Sequence, residues 1–501
     1  MTYVPDRPPP LPGRRSLLVA AMAAAGWRMA GAGAGARGQL TALTALTALA
    51  TPTTHAATSL TVANITGLYT VRVARIEVPR SATEVATLLR GWPGQVAVGG
   101  GRYSMGGQVA VAGGLHIDMR QMNALVWLRA EERRVRVQAG MRWRDLQDHL
   151  DPLGLAVKTM QSYANFTVGG SVAVNVHGRY VGHGPLAHSV RALQLVLADG
   201  RRVECSPHTE TALFRAAIGG YGAVGVITEV ELDVVENIRI ERVVEEVALP
   251  DYVRHFQTQV QADARSVLHN ADLLPPHFDA PVSVTWRRAA DSLPLTETAR
   301  LVPCGQRYSM AQNAIWAATE LPGGSALRRA LVHQLLKARP AVKWLNHEAS
   351  LDVAELEPRT RALSTYVLQE YFVPERHFLG FARSMAGVLQ AHDVEALNIS
   401  VRHSPADRVA LLPWAREDVF SFVLYYKQRT HAAAQQAVGI WTRKLIAAAL
   451  QHEGRYYLPY QLHATQAQFD QAYPEAQALR ALKKQLDPQG RLSNELWRRY
   501  L

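Results

Sequence analysis

Hydrophobic and polar residues alternate over short stretches of the chain from about residue 60 onward. VRVARIEVP (71–79) and RRVRVQAG (133–140) have the period of two that predicts half-buried strands. Between them, Ser81-Ala-Thr-Glu84 has the form of a capping box, and Val85, Leu88 and Leu89 follow at helical spacing. Strands and helices are therefore interleaved, which predicts an α+β fold.

The same pattern divides the chain into segments. Residues 60–237 alternate short strands and helices, with a hairpin predicted at Ala198-Asp199-Gly200. Residues 238–455 contain longer helical stretches at 327–337 and 431–451, together with a strand at 421–426. We therefore expect a first domain over 60–237, a second over 238–455, a closing segment over 456–501, and no folded domain in residues 1–58.

Five glycines lie within nine positions of VAVGGGRYSMGGQVA (96–110), directly after an apolar strand. Glycine is costly to order, so this density needs a physical reason. One reading is a surface loop. The other is a backbone that approaches a ligand closely and presents bare N–H groups, most often to a phosphate.

Composition excludes several function classes. The chain has 501 residues, enough for two domains, and a formal net charge of +12 that is spread along the sequence rather than clustered. No nucleic-acid motif or metal-ligand spacing accompanies this charge, so we expect neither nucleic acid nor a metal as partner. Cys205 and Cys304 are the two cysteines, and the sequence leaves open whether they pair.

The N-terminal residues resemble an export signal. Arg14-Arg15 precede the apolar run Leu17–Trp27, which is too short to span a bilayer but suits the apolar part of a twin-arginine signal. We therefore expect export to the periplasm. The alternatives are a disordered tail on a cytoplasmic protein, or a basic protein associated with a membrane surface.

Four segments in order resemble the PCMH-type FAD-binding domain of the vanillyl-alcohol-oxidase superfamily. They are GGGRYSMGGQ (99–108) with GGLHIDMRQMN (113–123), AGMRWRDLQDHLDPLGLA (139–156), TVGGSVAVNVHGR (167–179) and IGGYGAVGVITEVEL (218–232). The resemblance implies a two-subdomain FAD-binding domain, with residues 238–455 as an α+β substrate domain. The residues that it assigns to the cofactor are Gly99, Gly100, Gly101, Arg102, Tyr103, Ser104, Gly107, Ser162, Gly169, Gly170, Ser171, Asn175, Gly178 and Ile227.

One position departs from many relatives. They carry a histidine before the serine of the first glycine loop, and that histidine is bonded covalently to the flavin. This chain has Tyr103 there, so we expect FAD to be bound without a covalent link at this position.

The C-terminal half resembles aldonolactone and alditol oxidases. LQEYFVPERHF (368–378), NISVRHSPAD (398–407), RYYLPYQLHA (455–464) and LDPQGRLSNELW (486–497) carry the likeness. It implies hydride transfer from a substrate C–H to flavin N5, while a base takes the hydroxyl proton and a positive charge stabilises the reduced flavin. The candidate catalytic residues are Glu370, Arg402, His463 and Asn494. Three of them also have a non-catalytic interpretation: Glu370 as a surface carboxylate, Arg402 as part of a structural ion pair, and His463 as a core histidine.

Other functions remain open from the sequence. The glycine loop also resembles that of cytokinin dehydrogenases, whose amine-oxidising Asp lies five residues before the T-x-G-G turn. That position is Ser162 here, which favours a sugar or alcohol substrate. A flavin-binding electron carrier without turnover is the second alternative, and the electron acceptor could be oxygen, a quinone or a cytochrome.

Overall fold

The computed structural model describes residues 60–310, 312–313, 315, 340–358 and 360–501. The predicted export signal and the predicted helix at 327–337 lie outside these residues.

A small parallel sheet and a hairpin come first in the described chain. β3 and β4 both pair with the central β5, and helix α1 begins at the Ser81 cap that the sequence predicts. Residues 71–79, predicted as one strand, form two. The break falls at Val73 and Ala74, because Val73 N donates to Leu60 O while Ala74 N donates to Gly114 O. The elements are β1 (Thr61–Ala63), β2 (Thr70–Arg72), β3 (Arg75–Glu77), α1 (Ala82–Gly91), β4 (Val96–Gly99) and β5 (Leu115–Asp118).

A six-stranded antiparallel sheet completes the first half. Its order is β10-β9-β11-β7-β6, with β8 paired to β11. The predicted hairpin at Ala198-Asp199-Gly200 joins β9 to β10, and Gly200 has the positive φ of +83° that the turn requires. The strands are β6 (Leu125–Arg129), β7 (Arg134–Gln138), β8 (Leu155–Val157), β9 (Val190–Val196), β10 (Arg202–Cys205) and β11 (Val226–Glu236).

The second half is built on an eight-stranded antiparallel sheet. Its order is β15-β12-β14-β13-β17-β18-β16-β19, and the chain changes from one large sheet to the other between Glu236 and Arg239. The strands are β12 (Arg239–Glu246), β13 (Ser266–Leu273), β14 (Val282–Arg288), β15 (Val342–Trp344), β16 (Ser364–Pro374), β17 (Ala396–Ser404), β18 (Val419–Arg429) and β19 (Arg455–Tyr456).

Ten further helices in the described part of the chain pack around the sheets. The long α8 packs on β16, β18 and α7, so it covers one face of the eight-stranded sheet. The helices are α2 (Trp143–Leu150), α3 (Val168–Val174), α4 (Thr211–Ala217), α5 (Tyr252–His255), α6 (Leu345–Ala349), α7 (Phe378–Ala391), α8 (Ala432–Gln451), α9 (Gln466–Ala472), α10 (Ala476–Leu486) and α11 (Glu495–Tyr500). Single 3₁₀ or π turns lie at Met119–Gln121, Asp151–Leu153, Leu186–Ser189, Leu249–Asp251, Phe256–Gln261, Val353–Glu355 and Glu375–His377.

The structure bears on cysteine pairing and on membrane-spanning helices. Cys205 is buried and Cys304 is exposed, and both are free thiols, so they do not pair. Among the helices that the structure describes, none combines the length and the apolar character needed to cross a bilayer.

Candidate active site

A cavity of about 1420 Å³ lies between the glycine-rich loops of the first half and the open face of the eight-stranded sheet. Pockets for a single small ligand are usually about 300–1,000 Å³. The cavity therefore has room for a large cofactor together with a second molecule.

The glycine-rich wall is shaped for close backbone approach. A Cβ at Gly100 would lie 2.1 Å from Thr167 Oγ1, and one at Gly170 would lie 2.8 Å from the same atom. The Thr167 and Ser162 hydroxyls are buried, and neither has a hydrogen-bond partner among the described residues. Buried hydroxyls without partners are costly, so this wall suits a ligand rich in hydrogen-bond acceptors. The residues present thus fit the diphosphate and ring system of FAD.

Most of the predicted cofactor residues line this cavity. Arg102 has a positive φ of 61°, and its guanidinium turns to Asp118 Oδ2 at 2.9 Å and to His116 Nε2 at 3.1 Å. Arg102 therefore also anchors the first glycine loop to β5. The predicted residues on the cavity wall are Gly100, Gly101, Arg102, Tyr103, Ser104, Ser162, Gly169, Gly170, Ser171 and Ile227.

Three of the predicted glycines, Gly99, Gly107 and Gly178, do not line the cavity. A Cβ at Gly99 would lie 2.6 Å from the His116 ring, and one at Gly178 would lie 2.1 Å from Met160 O. Gly107 has a φ of +86° and faces Glu495. These glycines allow neighbouring segments of the protein to approach each other rather than a ligand.

Asn175 does not line the cavity either, because its side chain is fully buried in the protein. It ends α3 with a φ of 51°, and its Nδ2 donates to Asp407 Oδ2 at 2.7 Å. Its own carbonyl accepts from Trp414 Nε1 at 2.8 Å and from Tyr457 OH at 3.1 Å. Asn175 therefore fixes the loop that carries His177 against the second half of the chain.

Glu370 is the central acidic group of the cavity. It lies on β16, between β18 and β19, and only 3% of its surface is exposed, so it is not a surface carboxylate. Its Oε1 contacts His177 Nε2 at 2.5 Å, and its Oε2 accepts from Tyr460 OH at 3.3 Å. Burial alone would raise the pKa of Glu370, but the interactions with His177 and the charge of Arg402 bring that pKa below its ordinary value.

Arg402 faces the same cavity from β17. Its Nε has no hydrogen-bond partner among the described residues. Burial lowers the pKa of Arg402, an effect that the Glu370 charge opposes. An arginine remains charged under these conditions and is available to a bound molecule.

The structure does not bring His463 and Asn494 to the cavity. His463 contacts Gln461 Oε1 at 2.9 Å and packs beside Gly439 of α8. The side chain is half-buried, and desolvation together with the charges of two nearby arginines lowers its pKa to about 4. Asn494 caps α11 by accepting from Trp497 N at 3.1 Å. Neither residue lines the cavity, and their contacts are with the protein itself.

Two residues at the site were missed as catalytic candidates. The His177 ring lies tilted against Trp414 and edge-on to Phe372, with ring centroids at 4.9 and 5.5 Å, and these aromatic neighbours fix its orientation. Tyr460 is held because Gln108 Nε2 donates to its carbonyl at 2.8 Å. Both lie inside segments that the sequence analysis singled out, but no local spacing links them to Glu370.

Comparison with known proteins identifies the class and then the family. A FAD-binding domain model matches residues 73–206, so the chain is a flavoprotein with an α+β fold of PCMH type. The D-arabinono-1,4-lactone oxidase model matches residues 233–500, more than half of the chain, and the protein belongs to this family.

Individual relatives agree with this family. L-gulonolactone oxidase of Bos taurus is 24% identical over 417 residues, covering 82% of this chain and 90% of the relative. Alditol oxidase of Streptomyces sp. is 26% identical over 445 residues, covering 88% and 99%. Cytokinin dehydrogenase 3 of Oryza sativa subsp. japonica is 30% identical, but over 168 residues and 32% of each chain.

We predict that Gly100→Ala weakens FAD binding by at least about tenfold. The added Cβ would displace the Thr167 side chain and so narrow the cavity beside the glycine-rich wall. The flavin-to-protein ratio after gel filtration measures this effect. Gly91→Ala is the matched control, since nothing lies within 4 Å of a Cβ there. Equal flavin retention in the two variants would contradict the assignment.

Proposed function

We propose that the protein is an FAD-dependent oxidase of a CH–OH group in a sugar, alditol or aldonolactone-like substrate, with oxygen as the electron acceptor. The observation that carries this proposal is the buried Glu370–His177 pair with Arg402, placed in one cavity with the glycine-rich wall. Membership of the D-arabinono-1,4-lactone oxidase family and the two oxidases named above support the substrate class and the acceptor.

Glu370 acts in this proposal as the proton acceptor. FAD, when bound, takes up the hydrogen and the electron pair that leave the substrate carbon. The hydroxyl proton must leave as well, and the ionised Glu370 carboxylate can accept it. Oε1 is committed to His177, whereas the bond from Tyr460 to Oε2 is long, so Oε2 is the oxygen that a substrate hydroxyl approaches.

His177 and Tyr460 position this carboxylate. Each comes from a different part of the chain, and His177 is buried while Tyr460 is half-buried, so the Glu370 oxygens have little freedom to rotate. A fixed acceptor does not have to be reorganised during the reaction.

Arg402 supplies positive charge to the cavity. Its charge stabilises the negative charge that develops on the substrate oxygen as the proton leaves. Glu370 and Arg402 lie on strands separated by β18, so the two groups face one bound molecule from neighbouring positions.

The amine-oxidising alternative has less support. Ser162 lines the cavity where the cytokinin dehydrogenases resembled by the glycine loop carry a carboxylate. The similarity to those enzymes also covers about a third of the chain. A carrier without turnover has no need of a fixed carboxylate and a guanidinium beside its cofactor.

We predict that Glu370→Gln slows flavin reduction about 10²- to 10⁴-fold, because the amide cannot accept the proton. Stopped-flow bleaching with an aldonolactone or alditol under anaerobic conditions measures the rate, and oxygen uptake then tests the acceptor. Since the pKa of Glu370 is lowered from 4.5, the wild-type rate should show no loss from Glu370 protonation between pH 8 and pH 5. An unchanged rate in the Gln variant would exclude Glu370 as the base.

Arg402→Ala should slow flavin reduction about 10²-fold while FAD stays bound, because it removes charge stabilisation from the reaction and not from the glycine-rich wall. Arg402→Lys keeps the charge and should recover part of the rate. The proposal for Arg402 fails if the Ala variant reduces its flavin at the wild-type rate.

We propose further that FAD is held without a covalent bond at Tyr103. Burial and the nearby Glu357 and Asp352 raise the pKa of the Tyr103 phenol to about 12, so it remains a neutral group and a poor nucleophile. Its ring instead packs on Phe166, with centroids 4.2 Å apart.

Acid precipitation should therefore release all flavin into the supernatant, and Tyr103→Phe should bind FAD as the wild type does. Absorbance near 450 nm in the two fractions measures the release. Yellow colour retained in the precipitate of the wild type, and lost in the Phe variant, would show a covalent link through this phenol.

A further inference from the structure

Both ring nitrogens of His177 face hydrogen-bond acceptors. Nε2 lies 2.5 Å from Glu370 Oε1, and Nδ1 lies at the longer distance of 3.3 Å from the carbonyl oxygen of Gly178. A carboxylate and a carbonyl oxygen only accept hydrogen bonds, whereas a neutral imidazole has a single N–H to donate. The imidazolium form donates from both nitrogens. The geometry therefore favours a positive charge on His177, opposite the negative charge of Glu370.

Water is largely excluded from this pair. Only 4% of the His177 side chain and 3% of the Glu370 side chain are exposed. The ring centroids of Trp414 and Tyr457 lie 4.9 and 6.2 Å from that of the imidazole. Opposite charges attract each other more strongly in such surroundings than in water, because the local dielectric constant is low. A carboxylate that is buried there without a neighbouring positive charge takes up a proton more readily.

A second cation and several phenols also lie around Glu370. Desolvation raises the pKa of each phenol above its ordinary value, so the phenols are uncharged between pH 5 and pH 8. The positive charges with the largest effect on Glu370 are therefore those of His177 and Arg402. Apart from His177, the titratable and charged groups are Arg402 on β17, Tyr221 in the FAD-binding half, and Tyr457, Tyr460 and Tyr473 in the closing segment.

His177 and Arg402 act on Glu370 in different ways. His177 contacts Oε1 directly, whereas Arg402 acts through its charge without a hydrogen bond to the carboxylate. In the proposed function the charge of Arg402 is directed to the substrate oxygen. His177 is therefore the cation that remains paired with Glu370 when a substrate is bound.

We propose that His177 is a positioning residue whose positive charge, rather than its hydrogen bond alone, keeps Glu370 ionised and able to accept the substrate proton. In the reaction the substrate O–H bond breaks and an O–H bond forms at Glu370 Oε2, while His177 keeps both of its ring protons. The hydrogen and electron pair from the substrate carbon go to FAD, as described above. This inference rests on the proposed function for the role of Glu370 as the base. The protonation state of Glu370 can nevertheless be measured without turnover.

The test replaces His177 with Gln, which can still donate a hydrogen bond to Oε1 but carries no charge. One fewer cation would then oppose the burial of Glu370, so the pKa of Glu370 should rise and the carboxylate should be lost as the pH falls. We expect the rate of flavin reduction by an alditol to fall at least about tenfold from pH 8 to pH 5 in His177→Gln, and by less than about twofold in the wild type. Anaerobic stopped-flow bleaching measures both rates.

His269→Gln is the matched control, because it makes the same substitution at another buried histidine. The His269 ring contacts Tyr252 OH and Thr285 Oγ1, both at 2.9 Å, and His269 does not line the cavity. This variant should keep the wild-type pH profile. His177→Asn should show the same loss at pH 5 as His177→Gln, and it covers a failure of the Gln variant to fold.

Infrared spectroscopy measures the same property without turnover. A protonated carboxyl group has a C=O stretching band that a carboxylate lacks, and difference spectra between pH 8 and pH 5 isolate the groups that titrate. The FAD-loaded full chain should show a Glu370 band at pH 5 in His177→Gln and none in the wild type. Adding Glu370→Gln to His177→Gln should remove this band, which identifies it.

A wild-type pH profile in both His177 variants, without a Glu370 band, would overturn the charge role, because the hydrogen bond alone would then be sufficient. A Glu370 band in the wild type at pH 5 would overturn it as well. A band confined to the variants, in protein whose flavin no alditol or aldonolactone reduces, would support the charge role and count against the proposed oxidation. The two proposals therefore fail through different observations.

Discussion

A carboxylate with 3% exposure needs compensating partners, and those of Glu370 come from distant parts of the chain. His177 lies at the end of the loop after α3, and Tyr460 lies after β19. Removing one partner from a buried charged pair typically costs about 3–5 kcal/mol. The FAD-binding half, the eight-stranded sheet and the closing segment therefore all contribute to the environment of this one carboxylate.

The same contacts tie the glycine-rich wall to the catalytic group. Gln108 belongs to the first glycine loop, and its side chain donates to the carbonyls of Leu458 and Tyr460, both at 2.8 Å. On the other side, Asn175 holds Asp407 with its side chain and Trp414 with its carbonyl. Displacing either loop would move His177 or Tyr460, so the glycine-rich wall and Glu370 are positioned as one unit.

Local patterns allowed the sequence to predict many of the helices and strands. The family resemblance predicted most residues of the glycine-rich wall that lines the cavity, but not the contacts of Glu370. The Ser81 cap, the hairpin at Gly200 and α8 are confirmed because each depends on residues close in sequence. The pairing of His177 with Glu370 joins residues 193 positions apart, and no local spacing encodes it. His463 and Asn494 were assigned from the segments that contain them, which do not determine the direction in which a side chain points.

Strand alternation explains why the sheet can carry reactive groups without losing its core. On β17, Arg402 faces the cavity, whereas Val401 is fully buried and His403 packs against Phe256 and Phe420. Polar groups that face an open cavity keep access to water or ligand, so they avoid the full cost of burial. Packing therefore constrains the residues on one face of the eight-stranded sheet, whereas residues on the cavity face can be polar and contact a ligand.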